Sequence, residues 1–285
     1  MSVVKFNCYL CGNKKFKYRK GKVRDLPSLK IIECSNCQLV TLNTFKHIKD
    51  DHYINSKMHG KDFDFKKWKN ESYRDDLRRI KQFKRIIKNK SLLDFGCGAG
   101  GFLELSNSIT GESSGFEIDL SVKKFWKNKL KIYDEIDKIK SKFDVITMFH
   151  VLKHLKSPIE TLIKLKKNLK HGGVIIIEVP NADDALIKLY KSKAFQNFTY
   201  WSNHLYLYNP INLKKLLIKT GFKVEFIKNI QRYPISNHLH WLSKGKPGGH
   251  EIWNFFDNKE INDKYSKTLS KLNMSDTLIA KIINA

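Results

Sequence analysis

The chain lacks any apolar run approaching the roughly 20 residues that a membrane-crossing helix needs, so no membrane span is expected. It also lacks internal repeats and low-complexity linkers, which leaves one main domain plus a small module as the expected organisation. Acidic residues are scarce. Against 54 Lys and Arg stand 28 Asp and Glu, a formal net charge of +26 over 285 residues. Such a field attracts polyanions: RNA, membrane surfaces, nucleotide-linked substrates. Yet the lysines run from Lys5 to Lys281 without a long basic block, and Lys, Asn and Ile are abundant together. A compositional bias and a solvated surface are therefore expected ahead of a nucleic-acid groove.

Cysteine is limited to five residues, and four of them form a pattern. Cys8-x-x-Cys11 and Cys34-x-x-Cys37 are separated by 22 residues, close to zinc-ribbon spacing. Four thiolates suit a closed tetrahedral structural zinc site with no open position for chemistry. Residues 1–45 are too few for a large core, so a metal would supply much of their folding energy. Two disulfides or four free thiols are the alternatives. No signal peptide precedes the first pair, so a secreted disulfide framework is not expected and a cytoplasmic location is. The fifth, Cys97, falls within a glycine-rich turn, where a small packing side chain is expected.

That turn is the most informative stretch. Ser91-Leu-Leu-Asp94-Phe-Gly96-Cys-Gly98-Ala-Gly100-Gly reads as strand, glycine turn and helix start. Such turns at the carboxyl ends of parallel strands are where doubly wound α/β folds bind nucleotides. The spacing is G-x-G-x-G, not the dinucleotide G-x-G-x-x-G. A second strand over Ser114–Ile118 brings Glu117 about 20 residues past the turn, where an acid reaches ribose hydroxyls. Asp119 is the alternative after a small change of register. Further strands are expected over Leu130–Tyr133, Phe143–Phe149, Val174–Val179, Phe222–Ile230 and Thr277–Ile283. A helix opening at Pro158, with an apolar face continued to Leu169, is expected to end at Gly172-Gly173. Other helices are expected over Tyr73–Ile87 and Ile211–Thr220.

With Asp94 two residues before its first glycine, the turn resembles motif I of the class I S-adenosylmethionine (SAM) methyltransferases. "FDVITMFHVLKH" and "GGVIIIEVP" resemble strands 4 and 5 of that family. One branch often reads H-V-L-E-H, whereas Lys153 replaces the acid here. The resemblance implies a doubly wound α/β fold with a seven-stranded sheet in order 3-2-1-4-5-7-6. It implies SAM as cofactor, held by Asp94, Gly96, Gly98, Gly100 and Glu117, with His150 shaping the pocket. The implied organisation is a zinc ribbon over 1–45 and a helical, substrate-side segment over 46–90. The methyltransferase domain follows over 91–285, with an insert at about 231–275. Tyr53 and Tyr73 are candidates for a substrate entrance, beside the alternative of packing or exposure.

After the fifth strand comes Trp201-Ser-Asn-His204-Leu-Tyr-Leu-Tyr208, similar to the E-H-L-x-x-F stretch of zinc-containing sugar methyltransferases. There the histidine lies at the active site. His204 is accordingly the first candidate base, with His154 second, since imidazole titrates near neutrality. Activity rising with pH through that titration is the corresponding expectation. Asn203 stands where the family has glutamate, and the chain ends soon after the seventh strand, where the sugar C-methyltransferases continue. Methyl transfer to oxygen of a sugar or nucleotide-sugar in surface-glycan synthesis is the expected reaction. Asn237, His238, His240, Trp241, Lys244, Lys246 and His250 surround a Pro-Gly-Gly turn that could hold a phosphate or sugar, or form a surface lid. An RNA methyltransferase is the first alternative, since zinc ribbons also precede certain rRNA guanine methyltransferases. Neither an aromatic-basic RNA motif nor an N-P-P-Y loop is present. A non-catalytic SAM-fold scaffold is the second. Neither sequence nor resemblance indicates an oligomeric state.

Overall fold

A computed structural model describes residues 6–49, 51–54 and 64–285, so residues 50 and 55–63 of the 46–90 segment lie outside the described residues. Three short strands come first: β1 (Phe16–Tyr18), β2 (Ile31–Cys34) and β3 (Val40–Leu42), paired antiparallel in that order. Helix α1 (Phe65–Ile87) starts two turns earlier than the apolar pattern predicts. Asp64 caps it by accepting hydrogen bonds from the amides of Lys66 and Lys67.

The main body alternates strand and helix. Its first half is β4 (Ser91–Phe95), α2 (Gly101–Ser106), β5 (Glu112–Phe116), α3 (Leu120–Phe125), β6 (Ile132–Tyr133) and β7 (Phe143–Phe149). Then follow α4 (Pro158–Lys166), β8 (Leu169–Pro180), α5 (Ala185–Lys188), α6 (Lys193–Phe198), β9 (Tyr206–Leu207), α7 (Pro210–Lys219) and β10 (Lys223–Ile230). Between β10 and β11 (Thr277–Ile283) lie three α-helices, α8 (Ile235–Lys244), α9 (Gly249–Ile252) and α10 (Lys259–Lys271). Seven strands form one sheet in the order β6-β5-β4-β7-β8-β11-β10, with β11 antiparallel between β8 and β10. Counted along this sheet, the order is 3-2-1-4-5-7-6, as the resemblance implies. Buried Leu92, Leu93, Val145, Ile146 and Ile175–Ile177 fill its middle strands, as a sheet covered on both faces requires.

One boundary differs. The Pro158 helix ends at Lys166, and Leu169 already pairs with Phe143. Gly172-Gly173 therefore lies within β8 rather than at a helix end. The register jumps from Phe143↔Leu169 to Val145↔Val174, and Gly172 takes φ +71° in the extra residues.

The amino-terminal strands do not stand apart. β9 adds to them as a fourth strand, with Val40 opposite Leu207 and Thr41 opposite Tyr206. The next residue, Tyr208, bridges to Asn181 just past β8. Leu10, Val23 and Leu39 share one hydrophobic cluster with Leu93, Ile146 and Ile177 of the main sheet. Asp25 accepts hydrogen bonds from the Ser202 amide (2.9 Å) and hydroxyl (2.6 Å), and Arg24 lies 3.6 Å over the Trp201 ring. Small as they are, these strands brace the loop that follows β8. Among the described residues no helix is long and apolar enough to cross a membrane.

Candidate active site

A cavity of about 500 Å³ opens at the carboxyl ends of β4, β5 and β7, within the size range of small-molecule sites. Its floor is the glycine turn, in which Gly96, Gly98 and Gly100 take φ of +74°, +52° and +74°. A Cβ on Gly98 would come within 2.9 Å of Trp68 Cζ2 on α1, so only glycine fits beneath that indole. Gly96 and Gly98 line the cavity; Gly100 stands at the head of α2. Cys97 is buried against Gly115, and burial raises its thiol pKa well above the usual range. It behaves as the packing residue expected.

Glu117 closes one end of the turn. Its Oε2 accepts from the Gly98 amide (3.0 Å), and its Oε1 from the amides of Ile118 (2.8 Å) and Asp119 (3.2 Å). Burial raises its pKa, against the lowering by those amides. Asp119 instead caps α3 through the Ser121 amide. Asp94 accepts from the Thr147 hydroxyl at 2.7 Å, and burial pushes its carboxyl up to about 7. Asp94, Glu117, His150 and His154 all line this cavity, as does Tyr53. Tyr73 is 50% exposed and is not among the lining residues.

The three histidines differ in kind. His150 takes a left-handed backbone, φ +60°, a sparsely populated conformation for a non-glycine residue. Its Nε2 is 3.1 Å from Glu178 and 3.4 Å from Arg232 Nη1, and burial lowers its pKa to about 3. Its buried Nδ1 has no partner among the described residues. A bound cofactor could supply that partner. His154 donates from Nδ1 to the Asn203 carbonyl (2.7 Å), which leaves Nε2 as the acceptor nitrogen. Burial, reinforced by the Lys153 charge, lowers its pKa to about 3. His204 is not on the cavity wall. Its ring lies 5.3 Å from that of His154 and 6.2 Å from that of Trp201. Its Nδ1 is buried without a partner among the described residues.

A buried ionic network holds α1 across the cavity mouth. Glu178 of β8 accepts from Arg78 Nη2 at 2.9 Å on both oxygens and from Arg79 Nη2 at 2.8 Å. Arg79 also reaches Asp76 (3.0 Å), and Arg232 reaches Asp75 (2.7 Å). Sequence reasoning missed this network. Its signal was Glu178 itself, a lone acid within the apolar run Ile175-Ile-Ile-Glu-Val, which must be paired if buried. Burial raises the Glu178 pKa, but Arg79, His150 and Arg78 together outweigh it and hold the carboxyl well below the usual value of 4.5. Its contribution to stability is therefore present above that value and lost as pH falls below it. Glu178→Gln should cost about 3–5 kcal/mol, because it removes the buried counter-charge that Arg78 and Arg79 share and leaves them only Asp75 and Asp76. Denaturant titration at neutral pH checks this, and the variant should lose less of its remaining stability on acidification.

Lys153 is buried, and desolvation lowers its ammonium pKa to about 7, with Arg232 and Arg79 adding to the effect. In the insert, His238 bonds the Tyr265 hydroxyl (2.6 Å) and His240 the Lys246 carbonyl (2.8 Å), while Trp241 packs on Phe195 at 5.1 Å. These side chains hold the insert together; none of them lines the cavity.

The four paired cysteines also converge. Cys8 and Cys37 Sγ are 3.5 Å apart, as are Cys11 and Cys34 Sγ, and all four lie within 4.8 Å of one another with no disulfide. A tetrahedral site with Zn–S bonds of about 2.3 Å has sulfur edges of about 3.8 Å, so the donor set fits zinc. Each pair closes a similar turn. The Gly12 amide donates to the Cys8 carbonyl and the Gln38 amide to the Cys34 carbonyl, with φ of +72° and +60° at Gly12 and Gln38.

A glycine-floored cavity at the strand ends of this sheet order, walled by an acid at β5, defines a nucleotide-cofactor α/β enzyme. Residues 45–226 match the family described as "Methyltransferase domain", and the chain belongs to that family. It is an enzyme, a SAM-dependent methyltransferase. The crystal structure of a SAM-dependent methyltransferase from Archaeoglobus fulgidus superposes with a TM-score of 0.51 and 25% identity, covering 75% of this chain and 93% of that one. A ubiquinone biosynthesis O-methyltransferase of Hydrogenovibrio crunogenus is 24% identical over 184 residues, 56% of this chain and 75% of the relative. A tRNA U34 carboxymethyltransferase of the same organism is 28% identical over 153 residues, 48% of this chain. The chain spans 46% of that relative's length.

Proposed function

We propose that this methyltransferase acts on a hydroxyl of a small acceptor, a sugar or nucleotide-sugar of surface-glycan synthesis, in the cytoplasm. The observation that carries the reading is His154: a neutral imidazole on the wall of the cavity, its Nδ1 pinned and its Nε2 an acceptor. SAM supplies a methyl group already activated on a sulfonium. Glu117 takes the ribose hydroxyls, the glycine turn admits the cofactor at close approach, Asp94 holds the turn through Thr147, and His150 presents Nδ1 to the cofactor. His154 Nε2 orients the acceptor hydroxyl and takes its proton. His204, first choice from the sequence, becomes a positioning residue behind His154. Cys8, Cys11, Cys34 and Cys37 hold one structural zinc.

The second reading is an RNA methyltransferase. The net charge of +26 favours it, and so do relatives named as tRNA U34 carboxymethyltransferases. Methyl transfer from labelled SAM into a panel of nucleotide-sugars, with total RNA in parallel, separates the two. Label in a nucleotide-sugar is expected; label in RNA alone overturns the proposal.

SAM itself should bind with roughly micromolar affinity, on the order of −7 to −8 kcal/mol. Glu117→Ala should weaken it by about 1.5–3 kcal/mol, the worth of hydrogen bonds to a charged group. Gly98→Val should weaken it more, by driving Trp68 off the turn. Titration calorimetry in which both variants match the parent would refute these roles.

A further inference from the structure

A second cavity, of about 740 Å³, lies where the cysteine-bearing strands meet β9. Phe6, Tyr9, Tyr18, Phe45 and Tyr206 contribute to its walls. Tyr206 is the centre of this group, 5.6 Å from the Tyr9 ring and 5.4 Å edge-on from Phe45. Tyr18 is 58% exposed. Three exposed lysines, Lys30, Lys46 and Lys156, stand on the same walls. No Asp or Glu is among the described lining residues, although Tyr9 donates its hydroxyl to Glu160 nearby. Polar groups suited to a base edge are present in Asn7, Asn43 and Thr44. Aromatic faces bind planar bases and lysines bind phosphates, so this combination selects a ligand carrying both.

We propose that this cavity binds a nucleoside diphosphate, its base against the aromatic rings and its phosphates on Lys30, Lys46 and Lys156. The site abuts the reaction centre along the chain. Lys156 and Ser157 line it, while His154 and Leu155 line the SAM cavity. Two residues of trans backbone span at most about 7 Å. A sugar attached to a diphosphate held on Lys156 is thereby brought toward His154. As the seat of an acceptor's nucleotide, the inference rests on the function proposed above. As a nucleotide site it is tested without methyl transfer.

The test is titration calorimetry on the full chain with uridine diphosphate, inorganic pyrophosphate and a short single-stranded oligouridylate. Uridine diphosphate should bind at least tenfold more tightly than pyrophosphate. Lys30→Glu with Lys46→Glu should weaken it at least tenfold, Tyr18→Ala several-fold, and neither should change SAM affinity. Equal binding of pyrophosphate, insensitivity to both variants, or no binding up to about 5 mM, a free energy near −3 kcal/mol, would overturn the site. If the oligonucleotide binds far more tightly than uridine diphosphate with the same sensitivities, the nucleotide site holds and its source is RNA. The sugar acceptor then falls. If uridine diphosphate binds but no nucleotide-sugar accepts label, the site likewise stands and the acceptor reading fails.

Discussion

His154→Ala should slow methyl transfer by roughly 10²–10⁴-fold, the range for losing a positioned general base, with SAM affinity nearly unchanged. The separation follows from where the ring acts. Its Nδ1–H is spent on the Asn203 carbonyl, so in the proposed role Nε2 is the nitrogen left to meet the acceptor. An interaction made chiefly in the transition state lowers turnover without raising the cofactor's dissociation constant. The low basicity of the ring, near 3, does not disqualify it. As oxygen bonds to the incoming methyl its proton becomes strongly acidic, and a weak neutral base suffices. The pH profile carries the second signature. A histidine of ordinary pKa would make activity rise through about pH 6.5. With the folded value near 3, His154 is neutral across pH 5–8 and should give no such rise. His204→Ala should cost less than tenfold, through looser packing of His154. Should His204→Ala be the more damaging change, the two roles are exchanged. If neither variant slows turnover tenfold, catalysis rests on alignment alone.

What could be read from the sequence was whatever short-range pattern encodes. Phe143–Phe149 and Thr277–Ile283 are predominantly apolar strands bounded by polar residues, and they emerge at those limits. The glycine turn and the cysteine pairs are local too, because backbone geometry demands specific residue types at fixed spacing. Failures of prediction mark long-range contacts. Glu178 meets Arg78 and Arg79 across about a hundred positions, and no periodicity announces that pairing. Which of His154 and His204 reaches the cavity depends on the Asn203 carbonyl and on Trp201, not on spacing. β9 is two residues long and exists because β3 offers it an edge. Gly172-Gly173 imitates a helix terminator yet serves a bulge, since the β7 partner is already in place at Leu169.

Stripping metal from the four-cysteine cluster should disorder the amino-terminal strands and take acceptor turnover with them. Metal analysis should first find about one zinc per chain. Structural zinc contributes an apparent 10–16 kcal/mol at neutral pH in small domains, comparable to the whole stability of an ordinary protein. Strands of three and four residues cannot replace that from their own burial. The damage should travel along β3 to β9, because Val40 and Thr41 pair with Leu207 and Tyr206, and the Thr41 hydroxyl donates to the Leu205 carbonyl at 2.8 Å. The loop just before β9 carries Asn203, whose carbonyl pins His154 and whose side chain accepts from His52 at 2.6 Å. Cys34→Ser should thus lower turnover at least a hundredfold, more than it lowers SAM affinity. The glycine turn and Glu117 directly follow β4 and β5, at the opposite side of β7 from β8. Limited proteolysis should cut the variant first within residues 6–49, and SAM titration should remain within a few-fold of the parent. Disulfides in place of zinc would end the metal assignment. Full turnover in Cys34→Ser would show that the amino-terminal strands do not brace the catalytic loop. Parallel loss of SAM binding would mean that both sheets unfold as one cooperative unit, as their shared core of Leu39, Leu93 and Ile177 would then require.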